Sequence, residues 1–130
     1  MTLQTTTQTE GVRCGEYYLS EGEELITRDV VTLTGGPYVP GQVLAIVTAS
    51  GKYTAHNPPA AQTPDGTENA AGILYDYADA SGADLKVAVT TRLCEVDGNL
   101  LAWKTGISSN DKAAGIAALA AKNIIVRTLG

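Results

Sequence analysis

The side chains best suited to nucleophilic or acid–base chemistry are one histidine and two cysteines. His56 is the only histidine of the 130 residues, and the two thiols are Cys14 and Cys94. A Cys94/His56 hydrolase is one hypothesis, because an imidazole base is a common activator of a cysteine nucleophile. However, Cys94 lies between Leu93 and Val96 in a predicted strand, where a buried cysteine ordinarily acts as a small apolar residue. We therefore predict that the protein is not an enzyme and has no catalytic residue.

Metal and nucleotide motifs are also missing from the sequence. The two cysteines are eighty positions apart, and the chain has no C-x-x-C or H-x-x-x-H pair. Four acids stand in or near predicted turns without the spacing of an EF-hand: Asp76, Asp79, Asp84 and Asp97. No glycine-rich stretch matches a dinucleotide or phosphate-binding loop. The sequence predicts no metal and no cofactor, and two cysteines that remain free thiols in a reducing compartment.

The strands and helices that would position these residues are expected to form a single domain with a core of small side chains. A chain of 130 residues fits one domain. It has no Phe, one Trp and 14 Gly, so the core must be aliphatic and built from small residues. The formal net charge of -5 argues against nucleic acid as a partner, because phosphate binding needs a concentrated basic surface. No apolar run is long enough to cross a membrane, and we expect neither a membrane segment nor a signal peptide.

Most of the chain is predicted to form strands. One or two strands are predicted within 16–34, a hairpin within 43–56 around Ser50-Gly51, a surface loop over 57–69, and strands at 72–78 and 85–96 separated by a Ser81-Gly82 turn. Asp97-Gly98 predicts one more hairpin, between 94–96 and 99–101, because both central positions of such a turn favour positive φ.

One helix is predicted over about 111–121, with Ser109 or Asn110 as its N-cap. Nine consecutive small or apolar residues make up its centre, so we expect it to be buried on most sides, in the core or at a subunit contact. Asn123 is predicted to end it in the left-handed conformation, before a final strand at 124–126. The predicted fold class is α+β and mainly β: a small mixed β domain with one short buried C-terminal helix and a flexible N-terminal arm.

The arm is predicted to comprise residues 1–15, and the folded domain residues 16–130. Residues 1–11 hold five threonines and two glutamines with only two apolar side chains, too little to offset the entropy of ordering. Threonine nevertheless favours extended backbone. Such an arm can therefore add a strand to the open sheet edge of a partner.

Three blocks of the sequence resemble the head decoration protein family of tailed bacteriophages. They are 40–44 with 47–53, then 70–75, and finally 101–103 with 106–107, 111–114 and 124–127. The stretch 24–29 fits as well. The likeness extends over about residues 16–128 in the expected order, which makes it far more specific than a single motif.

The resemblance implies a homotrimer that binds the major capsid protein on the outside of the expanded head, at threefold and quasi-threefold positions, and resists internal genome pressure. It also implies a location on the virion exterior, with host cytoplasm during assembly. The arm residues expected to contact the capsid are Thr5, Thr6, Thr7, Gln8, Thr9, Glu10, Val12 and Arg13. Trp103, Ile116 and Leu119 are expected in the core or at the trimer seam.

A different virion or adhesin module that binds carbohydrate is the alternative hypothesis. An exposed aromatic platform would support it. The six tyrosines and one tryptophan are instead scattered along the chain, with only Tyr17 and Tyr18 adjacent.

Overall fold

The protein is described by a computed structural model that covers residues 11–128. Eight strands, two α-helices and one 3-10 turn follow one another along the chain. Their bounds are β1 Tyr18–Glu21, α1 Glu24–Thr27, β2 Arg28–Tyr38, β3 Val43–Ile46, β4 Tyr53–Ala55, β5 Ala70–Leu74, β6 Ala78–Thr90, β7 Cys94–Asp97, the 3-10 turn Gly98–Leu100, α2 Ser109–Ala120 and β8 Ile124–Arg127. The predicted fold class, mainly β with one helix near the C-terminus, is confirmed.

Five strands close into a barrel in the order β2-β4-β3-β5-β6. Its longest pairing is antiparallel, between β2 and β6, and extends from Arg28 opposite Thr90 to Tyr38 opposite Ala78. The β3–β4 hairpin and the strand-free stretch between β4 and β5 confirm the predicted hairpin and the predicted loop. Closure leaves few sheet edges exposed, which is the usual protection of a small β domain.

The other three strands form a small sheet in the order β1-β7-β8, with β7 in the middle. The β7–β8 pairing is parallel, and α2 supplies the crossover that a parallel connection requires. Asn123, with φ of 61, takes the predicted left-handed conformation between α2 and β8.

Two apolar clusters form the core. The barrel interior is aliphatic, with Leu33, Leu44, Leu74 and Val89 all fully buried. The second cluster fills the space between barrel, sheet and helix: Tyr17, Val43, Ala70, Ile73, Cys94, Val96, Leu101, Leu119 and Ile124. The core is therefore largely aliphatic, as the composition predicts. In the described chain, no helix has the length and apolarity that a membrane crossing requires.

Gly41 stands where the barrel meets the chain segment that leads to α2. Its N–H donates to the carbonyl of Leu74, and its own carbonyl accepts from Ala102, both at 2.9 Å. Its φ is +92, and a Cβ at this position would lie 2.4 Å from the carbonyl oxygen of Leu100. Only glycine fits both the conformation and the space.

The Asp97-Gly98 hairpin prediction is wrong. Asp97 has φ of -81, and its side chain accepts from the N–H of Asn99, so it caps the 3-10 turn that follows β7. The same residue types serve a tight hairpin turn and a helical N-cap. Here the chain continues toward Trp103 instead of returning beside β7.

The Ser81-Gly82 turn does not separate two strands either, because β6 continues from Ala78 to Thr90. Asp79 accepts hydrogen bonds from the N–H and the hydroxyl of Ser81, which is the local turn chemistry that the sequence indicates. In the pairing of β6 with β2, this turn appears as a shift in register between Leu33 and Gly35 of β2. Likewise, β2 passes through Gly35-Gly36-Pro37 and ends at Tyr38.

The helix differs from its prediction in burial. It begins about two residues earlier than predicted, and its N-cap is Ser108 instead of Ser109 or Asn110, with the Ser108 hydroxyl accepting from the N–H of Asp111 at 3.1 Å. Only Gly115 and Leu119 are buried in α2. The expectation of a helix buried on most sides is therefore wrong for the single chain, because the domain covers one narrow stripe of it. Five alanines of this segment are exposed: Ala113, Ala114, Ala117, Ala120 and Ala121.

Candidate functional site

The described chain begins against the connection between β5 and β6, which is lined by tyrosines. The N–H of Gly15 donates to the carbonyl of Tyr75 at 2.9 Å. A Cβ on Gly11 would lie 2.7 Å from Oη of Tyr77, and one on Gly15 would lie 2.7 Å from the ring of Tyr75. The segment 11–15 is thus packed closely on the domain.

The guanidinium of Arg28 lies over the rings of two tyrosines, one of which, Tyr75, contacts the segment 11–15. The guanidinium carbon of Arg28 is 4.0 Å from the ring centroid of Tyr75 and 5.3 Å from that of Tyr18. The same guanidinium bonds both carboxylate oxygens of Glu21 at 3.0 Å. Because Tyr18 and Glu21 belong to β1 and Arg28 to β2, the stack joins the small sheet to the barrel.

A second polar link lies beneath the stack. The hydroxyl of Thr90, on β6, is 2.6 Å from Oη of Tyr17 and is also hydrogen-bonded to Oη of Tyr18. Tyr17 and Thr90 are fully buried, and burial raises the pKa of the Tyr17 phenol far above its usual value. These bonds hold the start of β1 in place, so the segment before it has a rigid base.

Helix α2 contacts the domain through Gly115 and Leu119, and Gly115 lies against Trp103. A Cβ on Gly115 would lie 2.6 Å from Cζ3 of Trp103 and 3.3 Å from Cε1 of His56. The indole also makes an edge-on contact with the imidazole of His56, with ring centroids 5.8 Å apart. The missing side chain at position 115 therefore lets the helix approach the aromatic pair.

The predicted site residues fall into two groups. Of the predicted arm contacts, residues 5–10 lie outside the described residues, whereas Val12 is half-buried and Arg13 is exposed. The N–H of Arg13 donates to the carboxylate of Glu16 at 3.0 Å. Near the helix, Leu119 is fully buried, while Trp103 and Ile116 are partly exposed.

The hydrolase hypothesis receives no support from the geometry of its two residues. The imidazole Nε2 of His56 bonds the carbonyl of Glu68 at 3.1 Å, so it donates to that oxygen rather than acting on a thiol. Cys94 is buried, which raises its pKa to about 12 and keeps it protonated near neutral pH. Both cysteines are free, as predicted. Residues 11–128 contain no cluster of histidine, cysteine and acidic side chains that could hold a metal ion.

The burial of His56 leads to a pH prediction. Burial lowers the pKa of His56 below its ordinary 6.5. Near neutral pH the ring is uncharged in both states. Below about pH 6.5 the unfolded chain binds a proton that the folded protein excludes, so the free energy of unfolding falls as pH decreases toward the folded-state pKa.

Urea unfolding at about pH 7.5 and about pH 5.5 measures this loss. The His56→Gln variant serves as its control, because glutamine does not titrate and can still donate to a carbonyl. We expect the variant to lose less stability than the unmodified protein between the two pH values. An equal loss would assign the pH dependence to other groups.

Two sets of contacts could not be predicted from the sequence: those of Arg28 with Tyr18 and Tyr75, and the hydrogen bonds of Thr90 with Tyr17 and Tyr18. The adjacent pair Tyr17 and Tyr18 is the only signal in the sequence that points to them. Their partners are distant along the chain, since Thr90 is separated from Tyr18 by 72 positions. A contact at that separation depends on how the small sheet that contains β1 packs against β6 of the barrel, which local patterns do not specify.

Comparison with known proteins identifies the family to which this domain and its N-terminal segment belong. No curated protein sequence matches the chain. The family model for bacteriophage lambda head decoration protein D matches residues 7–124, which is most of the 130 residues. Membership of this family supports a role in phage capsid decoration and implies a location on the virion capsid. The chain belongs to the bacteriophage lambda head decoration protein D family.

Proposed function

We propose that this protein binds the major capsid protein as a homotrimer, on the outside of the expanded phage head at threefold and quasi-threefold positions. Bound there, it stabilises the head against the pressure of the packaged genome. The observation on which this proposal rests is the family match over residues 7–124, which includes residues 7–15 of the N-terminal arm and the domain as far as the start of β8.

The N-terminal arm, residues 1–15, supplies the capsid contact in this proposal. Its five threonines favour a strand that adds to an open sheet edge of the capsid protein, where backbone hydrogen bonds make few demands on side chains. The close packing of Gly11 and Gly15 on Tyr77 and Tyr75 supports this role. A fixed base limits the volume that the arm must search, and so lowers the entropic cost of binding.

The trimer contact in this proposal is the exposed face of α2. The five alanines of this face are exposed in the single chain, although a helix with so few polar groups is normally covered. Alanine side chains also allow two backbones to approach closely. Three copies joined here would present three arms, and linked binding sites can raise overall affinity about 10²- to 10⁴-fold without any stronger single contact.

Stabilisation of the head follows from mass action. A protein that binds only the expanded lattice shifts the equilibrium toward that lattice, by an amount that grows with the ratio of its free concentration to Kd. No covalent chemistry is required, in agreement with the raised pKa of Cys94 and the carbonyl-bound imidazole of His56.

The deciding experiment mixes the purified protein with expanded and with unexpanded phage heads. We expect co-sedimentation with expanded heads only, and extra density at the threefold positions in cryo-electron maps. Light scattering on the free protein measures whether the trimer forms before binding. Equal binding to both kinds of head, or density at other positions, would contradict the proposal.

A further inference from the structure

Gly15, the last residue of the N-terminal arm, lies against two tyrosine rings. Its N–H donates to the carbonyl of Tyr75 at 2.9 Å, and its φ is +65. A Cβ at this position would lie 2.7 Å from Cε2 of Tyr75 and 3.4 Å from Cδ2 of Tyr18. The centroids of these two rings are 6.3 Å apart. The path of the chain between residues 11 and 15 therefore depends on where the two rings stand.

One side chain of β2, Arg28, contacts both of these rings. Its guanidinium carbon lies 4.0 Å from the ring centroid of Tyr75, and its Nε donates to Oη of Tyr18 at 3.2 Å. Nη2 of the same group donates to both carboxylate oxygens of Glu21 at 3.0 Å. Only 18% of the Arg28 side chain is exposed, so these contacts are weakly screened by water. A planar guanidinium can stack on a ring and bond a carboxylate at the same time, which an ammonium does poorly.

Thr90 and Cys14 each contact one of the two rings. The hydroxyl of Thr90 bonds Oη of Tyr18, at the tip of that ring. The side chain of Tyr75 bonds the thiol of Cys14, which belongs to the arm and moves with it. Arg28 therefore links the two rings from the side of the domain, and its loss would release a restraint on both of them.

We propose that Arg28 is a positioning residue for capsid binding: it holds the rings of Tyr18 and Tyr75 against Gly15 and so fixes the direction in which the arm leaves the domain. This inference rests on the proposed capsid contact of the arm. It adds a requirement inside the folded domain, since an arm of unchanged sequence should bind less well when Arg28 is lost. A less restrained base has more conformations to lose upon binding.

Trypsin cleavage after Arg13 tests the restraint directly. Arg13 is exposed and is the first basic residue of the chain, so this cleavage is recognised by mass as the loss of residues 1–13. Cleavage of a briefly opened segment follows the population of the open form. We expect Arg28→Gln to be cleaved here about two- to tenfold faster, the change that corresponds to loss of a cation–π contact. Cleavage within residues 16–128 should stay unchanged.

Co-sedimentation with expanded heads tests the consequence for binding. Arg28→Gln should weaken it at least about twofold, because the arm of every copy loses the same restraint. Arg92→Gln is the matched control: its guanidinium bonds the carboxylate of Asp29 and the carbonyl of Ile26 instead of the two tyrosines. This control should leave both Arg13 cleavage and head binding unchanged. Circular dichroism checks that each variant is folded, and Arg28→Lys, which keeps the charge without the planar fork, replaces Arg28→Gln if that variant does not fold.

A second variant separates positioning from a general effect on stability. Gly15→Ala disturbs the same contact from the side of the arm, because its Cβ would meet the ring of Tyr75. If Arg28 acts through this contact, the double variant should be cleaved after Arg13 no faster than the faster of the two single variants. If Arg28 only stabilises the domain, the two effects should combine independently.

Three outcomes would overturn the inference: unchanged cleavage after Arg13, faster cleavage throughout residues 16–128, or independent effects of the two substitutions. Unchanged head binding by Arg28→Gln, while deletion of the arm abolishes it, would also overturn the inference and leave the proposed function in place. Normal decoration by the truncated protein would instead contradict the proposed capsid contact of the arm. The cleavage measurement needs no phage heads, so the two failures are distinguishable.

Discussion

Deletion of residues 1–14 is expected to abolish decoration of expanded heads and to leave a folded domain. Within the described chain, Tyr17 is the first buried residue, so the deletion removes no core side chain. The hydrogen bond from Gly15 to Tyr75 is also retained. If the protein binds as the proposed trimer, loss of its three arms should reduce binding by at least about 100-fold, the lower end of the gain that linked sites provide. Co-sedimentation with expanded heads measures the loss, and thermal unfolding checks the fold.

Substitutions within the arm distinguish strand addition from a general need for its length. Thr7→Pro removes a backbone N–H and should weaken decoration strongly, because proline cannot donate to a sheet edge. Thr7→Val keeps the β-branched shape and the N–H, so it should bind nearly as well as the unmodified protein. If both variants bound equally, or if the truncated protein decorated normally, the arm would not act as an added strand.

The parts of the fold that could be predicted from sequence are those determined by short-range patterns. The β3–β4 hairpin follows from the apolar run 43–47 and the Ser50-Gly51 turn after it, where Gly51 has φ of 72, which suits a tight turn. The position of α2 follows to within about two residues from the Ser-Ser-Asn stretch 108–110 at its start and from Asn123 after it, although the cap is Ser108 and not Ser109 or Asn110. In each case the signal and the structure lie within a dozen residues of one another.

The errors arise where one local signal fits two structures. Asp97-Gly98 fits a hairpin turn and a helical cap equally well. The outcome depends on β7 having β1 and β8 as neighbours, both distant along the chain. In the same way, Ser81-Gly82 forms a local turn with Asp79 without ending β6, because β2 pairs with the strand on both sides of it.

At the candidate site as well, the local sequence of α2 predicts less than the structure shows. Nine small or apolar residues predict a covered helix, but not what covers it. The domain buries only Gly115 and Leu119, and the sequence does not identify the alanine face as the surface proposed for the trimer contact. A cavity beside Trp103 could not be predicted either, because residues as distant along the chain as Pro37 and Thr105 line it.

Gly115→Glu is expected to prevent formation of the native domain. Any Cβ at this position would lie 2.6 Å from the indole of Trp103, so the helix must move away or the indole must leave its place. Overpacking of this kind costs about 1–3 kcal/mol. A buried carboxylate without a partner adds several kcal/mol. The sum is comparable with the total stability of a small domain, about 5–15 kcal/mol.

The variant Ser109→Glu controls for the added carboxylate. It places the same side chain at the first residue of α2, which is exposed and is not one of the five alanines proposed for the trimer contact, and it should change the free energy of unfolding by less than about 0.5 kcal/mol. Thermal unfolding followed by circular dichroism and by Trp103 emission compares the two. A large difference between positions 109 and 115 is expected from the contact of residue 115 with Trp103 and His56. Equal stability of the two variants would mean that α2 does not pack on the aromatic pair through Gly115.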